Sequence, residues 1–375
     1  MLTECRIDLD AIRDNVANLA ARAPDAALMA IVKADGYGHG MVPAAQAALD
    51  GGATWLGVAV LPEAFGLRAA GFEVPVLAWL LGPGEPVTQA IRQHIDVGVY
   101  AEWGLAEAVA AAVEAGIPAR IHLKVDTGLS RGGATAADWP ALVTAAAKAS
   151  AEGTAEVVGI WSHFAYADAP GHPTVARQVV AFTEAVEVAE RLGVHPQVRH
   201  LANSAATLTL PAAHFDLVRP GIAIYGVSPG PDVGTSAEFG LRPAMTLVGR
   251  VVLTKRVAAG EGVSYGHEYV TRAATGLALV PLGYADGIPR AAGNLGEVML
   301  DGRRRRIAGT VCMDQVVFDV GEDRVRPGDE ALFFGPGDAG EPTAQDWAQA
   351  LGTIGYEIVT RIGQRVPRTY PDRTG

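Results

Sequence analysis

Lysine occurs four times in the chain, as Lys33, Lys124, Lys148 and Lys255, although arginine is abundant. Chemistry that needs a primary amine therefore has few places to reside. Lys33 ends an apolar run, MAIVKADGYGHG, and precedes a glycine-rich turn. An amine at the mouth of a dry pocket has its charged form disfavoured by desolvation, which suits Schiff-base formation. A lone strand-end lysine can equally extend its ammonium to water. Lys148 sits in AAAKAS, a helix-like surface segment, Lys255 stands beside Arg256, and Lys124 lies in KVDTG near Arg131. On context, Lys33 is the imine candidate.

A second set of residues could hold an anion. In ANSA (202–205) Ser204 opens a helix, and in RPGIAIYG (219–226) a glycine follows a strand. A hydroxyl at a helix N-terminus with free backbone N–H groups makes an anion site, although each alone is an ordinary cap or turn. No Walker loop is present, and GYGHG (36–40) is not a dinucleotide fingerprint. The nine histidines show no metal-site spacing, and His39, His94, His172 and His195 read as structural or solvated. With Cys5 and Cys312 far apart, no metal is expected. No GxSxG elbow supports a serine nucleophile.

These residues need elements to carry them. Apolar, β-branched runs recur at 28–34, 55–60, 74–80, 96–101, 119–126, 157–164, 198–203 and 217–225. Helical patterns lie between them. Val175, Val179, Phe182, Val186 and Ala189 mark one face of a helix over 174–192, and Ile12, Val16 and Leu19 follow Asp10, read as an N-cap. Eight buried parallel strands, each followed by a helix, predict a (β/α)8 TIM-type barrel. A doubly wound open sheet competes, but lacks its fingerprint here. In the barrel, Lys33 with Tyr37, Lys124 with Asp126 and Arg131, His163, Asn203 with Ser204, and Arg219 with Gly221 all follow strand C-termini. That rim is where such barrels place their active sites.

Residues 228–243, rich in Gly, Pro and Ser, read as a linker. Short alternating segments follow at 246–257, 276–284, 296–300, 304–311, 315–320 and 330–334, with one helix at 343–352. The expectation is an α/β barrel over 1–238 and a mainly β domain over 239–375.

Composition narrows the function classes. The net charge of −11 over 375 residues argues against a nucleic-acid footprint and against a polybasic membrane anchor. Hydrophobic content of 49% with 19% charged residues excludes global disorder. No apolar run approaches the ~20 residues of a membrane span, and the N-terminus has no secretion signal. Two cysteines fit a reducing cytoplasm.

Nine segments then carry a resemblance. They are AIVKADGYGHG (30–40), HLKVDTGLSRGG (122–133), SHFAYAD (162–168), ANSAA (202–206), LVRPGIAIYG (217–226), VSYGHEY (263–269), LGYADG (282–287), GTVCMDQ (309–315) and TIGYEIVTRIGQRVPR (353–368). In this order they strongly resemble the alanine racemases, isomerases that use pyridoxal 5′-phosphate and pair a barrel with a C-terminal β domain.

The resemblance implies roles. Lys33 would hold the cofactor as an aldimine and return as one catalytic base, with Tyr265 as the second base on the opposite face. Tyr265 and Met313 would reach the site from the partner subunit, making a homodimer the active unit. Tyr37, Ser204, Tyr356 and the backbone of Gly221 and Ile222 would hold the phosphate, with Asn203 beside them. His163 would pack on the cofactor ring, a His163–Arg219 pair would favour the Tyr265 phenolate, and Arg131, Met313 and Tyr284 would lie near the substrate. Arg219 would face the ring nitrogen as a permanent donor, leaving it unprotonated and limiting the electron sink. Related decarboxylases place an acid there. Lys124 matches a lysine often carbamylated, which would anchor Arg131; an unmodified lysine paired with Asp126 is the competing arrangement. The implied reaction interconverts L- and D-alanine, supplying D-alanine for peptidoglycan. The alternatives are a racemase of broader range, for serine or larger residues, and a non-catalytic cofactor-binding barrel.

Overall fold

The computed structural model describes residues 1–371. Nine strands order its first half: β1 (Thr3–Ile7), β2 (Ala27–Ile31), β3 (Trp55–Val58), β4 (Val76–Ala78), β5 (Ile95–Val99), β6 (Ala119–Lys124), β7 (Ala155–Trp161), β8 (Val198–His200) and β9 (Leu217–Val218). The last eight form one parallel sheet in the order β8-β7-β6-β5-β4-β3-β2-β9. The sheet curls until its edges meet. Asp216 N–H donates to Arg199 O at 3.1 Å, and Arg219 N–H to Ala202 O at 2.9 Å, closing β8 on β9. All five residues of β5 are buried, as a strand covered on both faces requires. This is the expected TIM-type barrel.

Its helices depart from a strict strand-then-helix order. Helix Pro173–Arg191 buries Val175, Phe182, Val186 and Ala189 as the periodicity predicts. After β9, however, only a short 3-10 turn follows, Ile222–Tyr225. Its place in the ring is taken by helix Leu9–Arg22, from ahead of the first barrel strand. Asn15 on that helix donates to Ile224 O at 3.2 Å and Arg242 O at 2.8 Å. Its cap is Asp8, whose carboxylate accepts Ala11 N–H at 2.8 Å, and not the expected Asp10, which pairs with Arg13.

The second half is mainly β. Its largest sheet runs Arg303–Arg306, Glu297–Leu300, Glu330–Phe334, β10 (Met245–Arg250), β1, Arg368–Thr369. Thus β1 leaves the barrel's half of the sequence to pair antiparallel with β10, and parallel with Arg368–Thr369. A three-stranded sheet of Leu253–Val257, Thr275–Val280 and Val316–Gly321 lies beside it. Helix Ala344–Leu351 starts on a capping box between Thr343 and Asp346. Helix Gly355–Thr360, absent from the sequence reading, carries Tyr356 to the barrel mouth. The last four residues of the expected second domain lie outside the described residues. Among those described, no helix is long and apolar enough to cross a membrane.

Candidate active site

The C-terminal ends of the barrel strands surround a cavity of about 670 Å³. Its walls include Lys33, Tyr37, Lys124, Arg131, His163, Asn203, Ser204, Arg219, Gly221, Ile222 and Tyr356. Four of these are cationic or basic amines and guanidinia, and among the described residues no carboxylate lines the space. The site is built for anions.

The chain makes an unusual turn after Lys33. Ala34, Asp35, Gly36 and Tyr37 all have positive φ, between 53° and 60°. Left-handed backbone costs non-glycine residues roughly 1–2 kcal/mol each, so the surroundings must enforce it. Glu63 accepts Ala34 N–H at 2.6 Å and Ala59 N–H at 2.9 Å, and Asp35 accepts Met41 N–H at 2.8 Å. The turn folds Tyr37 back over the mouth, its ring 5.1 Å from Tyr225 and 6.3 Å from Tyr356. Lys33 Nζ sits 5.8 Å from the Tyr37 ring centre and 5.7 Å from that of Trp79. Burial, then the charge of Arg131, holds its pKa below the usual lysine value.

A cluster of hydroxyls and backbone surrounds Gly221. Ser204 Oγ accepts Gly221 N–H at 2.8 Å and Ala223 N–H at 3.3 Å. Asn203, rather than Ser204, caps the short helix, accepting Ala206 N–H at 3.1 Å. A Cβ on Gly221 would lie 2.3 Å from Tyr37 Oη. Burial raises the pKa of both Tyr37 and Tyr356, so both stay protonated donors.

Trp161 organises the other wall. Lys124 Nζ lies 4.5 Å and Arg219 Cζ 5.1 Å from its ring centre. Arg219 donates to Ser162 O at 2.9 Å and Leu201 O at 3.3 Å, and its Nη1 lies 3.2 Å from His200 Nδ1. Its side-chain partner is therefore His200, where the sequence reading paired it with His163. Burial, with Arg219 and Arg131 nearby, holds His163 well below its usual value, so that ring is neutral. Burial first, then Arg131 and Arg219, lowers Lys124 to about 8. Lys124 makes no ion pair with Asp126. That carboxylate accepts the N–H groups of Gly128, Leu129 and Ser130 at 2.9, 3.0 and 3.1 Å, shaping the loop into Arg131.

Tyr265, Tyr284 and Met313 stand apart from this cavity, 73%, 42% and 53% exposed. They share one patch of the second half. Thr310 donates to Tyr265 O at 2.9 Å, Tyr284 N–H to Cys312 O at 3.0 Å, and Ala285 N–H to Met313 O at 2.9 Å.

Family descriptions match across both halves: "Alanine racemase, N-terminal domain" over residues 7–229 and "Alanine racemase, C-terminal domain" over 244–370. The chain belongs to the alanine racemase family. It is 66% identical over 364 residues to an alanine racemase of Frankia casuarinae, covering 97% of this chain and 95% of that one. The corresponding protein of Salinispora arenicola is 62% identical, with 98% of each chain covered. The crystal structure of alanine racemase from the D-cycloserine-producing Streptomyces lavendulae superposes with a TM-score of 0.98 at 58% identity, covering 99% of this chain and 97% of that one. Alanine racemases are pyridoxal 5′-phosphate enzymes. The cavity fits that group: its lining holds an amine for the aldehyde, three hydroxyls and backbone for a phosphate, and an arginine for the ring nitrogen.

None of the sequence motifs marks His200, behind which lie His122 and Asp96. The available signal was His122 two positions before Lys124, a polar residue pointing to the barrel's inside from mid-strand.

Proposed function

We propose that this chain interconverts L- and D-alanine as a pyridoxal 5′-phosphate racemase. The observation that carries the reading is one cavity joining the half-buried amine of Lys33, the hydroxyls of Tyr37, Ser204 and Tyr356, and the buried Arg219, with no carboxylate among the described residues of its walls. When bound, the cofactor supplies an electron sink that acidifies the Cα–H of an attached amino acid.

The chain's own groups do the rest. Tyr37, Ser204 and Tyr356, with the backbone of Gly221 and Ile222, bind the phosphate, Asn203 fixing the helix that presents Ser204. Arg219 donates to the ring nitrogen; burial lowers it to about 9, which leaves it charged at neutral pH. His163 packs as a neutral ring. Lys33 would hold the cofactor at its aldehyde and would move a proton at Cα on one face, and burial with the charge of Arg131 shifts its amine toward the neutral form that both roles need. Arg131 meets the substrate carboxylate, and Lys124 lies where a carbamate on its Nζ would anchor Arg131.

Tyr265 moves the proton on the other face. Its exposure in a single chain, with Met313 and Tyr284 beside it, supports its delivery to a partner's cavity in a homodimer. The enzyme works in the cytoplasm on free alanine and supplies D-alanine for peptidoglycan. The test is direct: full-length protein loaded with cofactor should convert L-alanine to D-alanine, read by loss of optical rotation. A yellow, loaded protein that leaves L-alanine unchanged contradicts the reading.

A further inference from the structure

Arg219 is one end of a line of polar side chains that runs down the middle of the barrel. His200 Nδ1 lies 3.2 Å from Arg219 Nη1, and His200 Nε2 lies 2.8 Å from His122 Nδ1. His122 Nε2 lies 3.2 Å from Asp96 Oδ2, and Asp96 Oδ1 accepts from Arg120 Nε at 2.7 Å. Asp96, His122 and His200 expose no surface at all. Arg120 continues to the half-exposed Glu156 at 3.3 Å, at the end of the barrel opposite the cavity.

Donor and acceptor counting leaves one proton arrangement. A guanidinium has no acceptor, so His200 Nδ1 is bare and its proton sits on Nε2. That N–H donates to His122 Nδ1, which is therefore bare as well. His122 then carries its proton on Nε2, aimed at Asp96, an ionised carboxylate that only accepts. Inverting one ring alone would set two N–H groups, or two bare nitrogens, against each other across 2.8 Å. The charges agree with this order. Burial, Arg219 and His122 keep His200 neutral; burial pushes Asp96 up, but bonds from His122 and Arg120 outweigh it.

The packing holds the line in place. Gly159 on β7 faces the junction of the two rings: a Cβ there would lie 2.2 Å from His122 Nδ1 and 2.9 Å from His200 Nε2. Trp161 lies parallel to His200 with centres 5.7 Å apart, and Trp55 meets His122 edge-on at 5.8 Å. An apolar core would fill the same space without needing any bond direction.

We propose that Asp96 and His122 are positioning residues that act on Arg219 from across the barrel. By fixing the tautomer of His200 they keep an acceptor facing the guanidinium, and so hold Arg219 at the angle from which it serves the cofactor ring. This rests on Arg219 being the ring-nitrogen partner.

Asp96→Asn tests it. Asp96 takes Arg120 Nε on Oδ1 at 2.7 Å and Arg120 Nη2 on Oδ2 at 3.3 Å; the Asn Oδ1 keeps the shorter bond, and Nδ2 takes the other place facing His122, giving up the longer one. His122 must then accept on Nε2 and carry its proton on Nδ1; His200 follows, and its Nδ1–H opposes Arg219. The same logic makes an Asp-to-Asn change beside a catalytic histidine impose the wrong tautomer. Long-range ¹⁵N–¹H spectra of histidine-labelled, cofactor-loaded full-length protein read both rings, assigned with single His→Gln variants. The wild type should show Nε2–H on His122 and His200, and Asp96→Asn should show Nδ1–H on both. Turnover of both enantiomers should fall alike, about 10–100-fold in kcat with KM for alanine little changed. Nδ1–H on either ring of the wild type overturns the proposal, as does an Asp96→Asn protein with unchanged rings or with inverted rings and full kcat. The wild-type spectrum decides even if the variant fails to fold. Because the rings are read without turnover, wild-type protein with the expected tautomers and no racemisation would sink the functional reading and leave the proton order standing.

Discussion

The Cβ that Gly221 lacks would stand 2.3 Å from the Tyr37 hydroxyl. Only a glycine lets that phenol close on the backbone at the end of the barrel's last strand. Gly221→Ala should push Tyr37 aside and remove one phosphate donor. A lost hydrogen bond to a charged group is worth about 1.5–3 kcal/mol, so cofactor affinity should weaken by roughly tenfold or more. Titration of the cofactor-free protein with pyridoxal phosphate, followed by absorbance, measures it. Unchanged affinity would remove Tyr37 from the phosphate site.

Lys124 titrates near 8, against 10.5 for a free lysine, because burial, Arg131 and Arg219 all disfavour its ammonium. The unfolded chain holds that proton more tightly. The contribution to stability is therefore complete above 10.5 and is lost as pH falls toward 8. Denaturant unfolding across that window should show stability rising with pH, and Lys124→Met should flatten the rise. The neutral amine is also the form that adds carbon dioxide, forming an N–C bond and releasing a proton. A protein resonance from ¹³C-bicarbonate should grow as pH passes about 8 and be missing in Lys124→Met. Its absence from the wild type would leave Lys124 unmodified.

The barrel was legible because strands covered on both faces read as continuous apolar runs, and because Lys33, His163 and Arg219 interrupt them only at one end. Other features depend on partners far away in sequence. Strand β1 is five residues long and finds its neighbours at β10 and at Arg368–Thr369. The helix Gly355–Thr360 is six residues, too short for a periodic signal, yet it delivers Tyr356. Asp126 sits two residues from Lys124, but three backbone N–H groups outbid the amine for its oxygen. His122 and His200 are 78 residues apart, so their bond is a property of the barrel. Tyr265 entered the sequence reading only through family resemblance, since nothing in VSYGHEY marks a base.

Ser264, immediately before Tyr265, has φ 64° and ψ −171°, a region that favours glycine strongly. Bonds to Thr310 O at 2.6 Å and Cys312 Sγ at 3.3 Å hold it there. Ser264→Ala keeps the strain and loses both bonds, and should lower thermal stability by about 1–3 kcal/mol. Ser264→Gly relieves the strain and should be the more stable of the two variants. Both should lower kcat by loosening Tyr265. Melting curves with the alanine variant at or above the glycine variant would show that the backbone here is not strained.

The proposed function requires Lys33 and Tyr265 to move protons on opposite faces of the substrate, and Cα-deuterium washout measures this most directly. L- and D-alanine deuterated at Cα are supplied separately to wild type and to Tyr265→Ala. General-base assistance is typically worth roughly 10²–10⁴-fold, so loss of Tyr265 should slow washout from L-alanine by that order and leave D-alanine, served by Lys33, far less affected. Equal slowing of both enantiomers would mean that one residue serves both faces, and would contradict a two-base reaction.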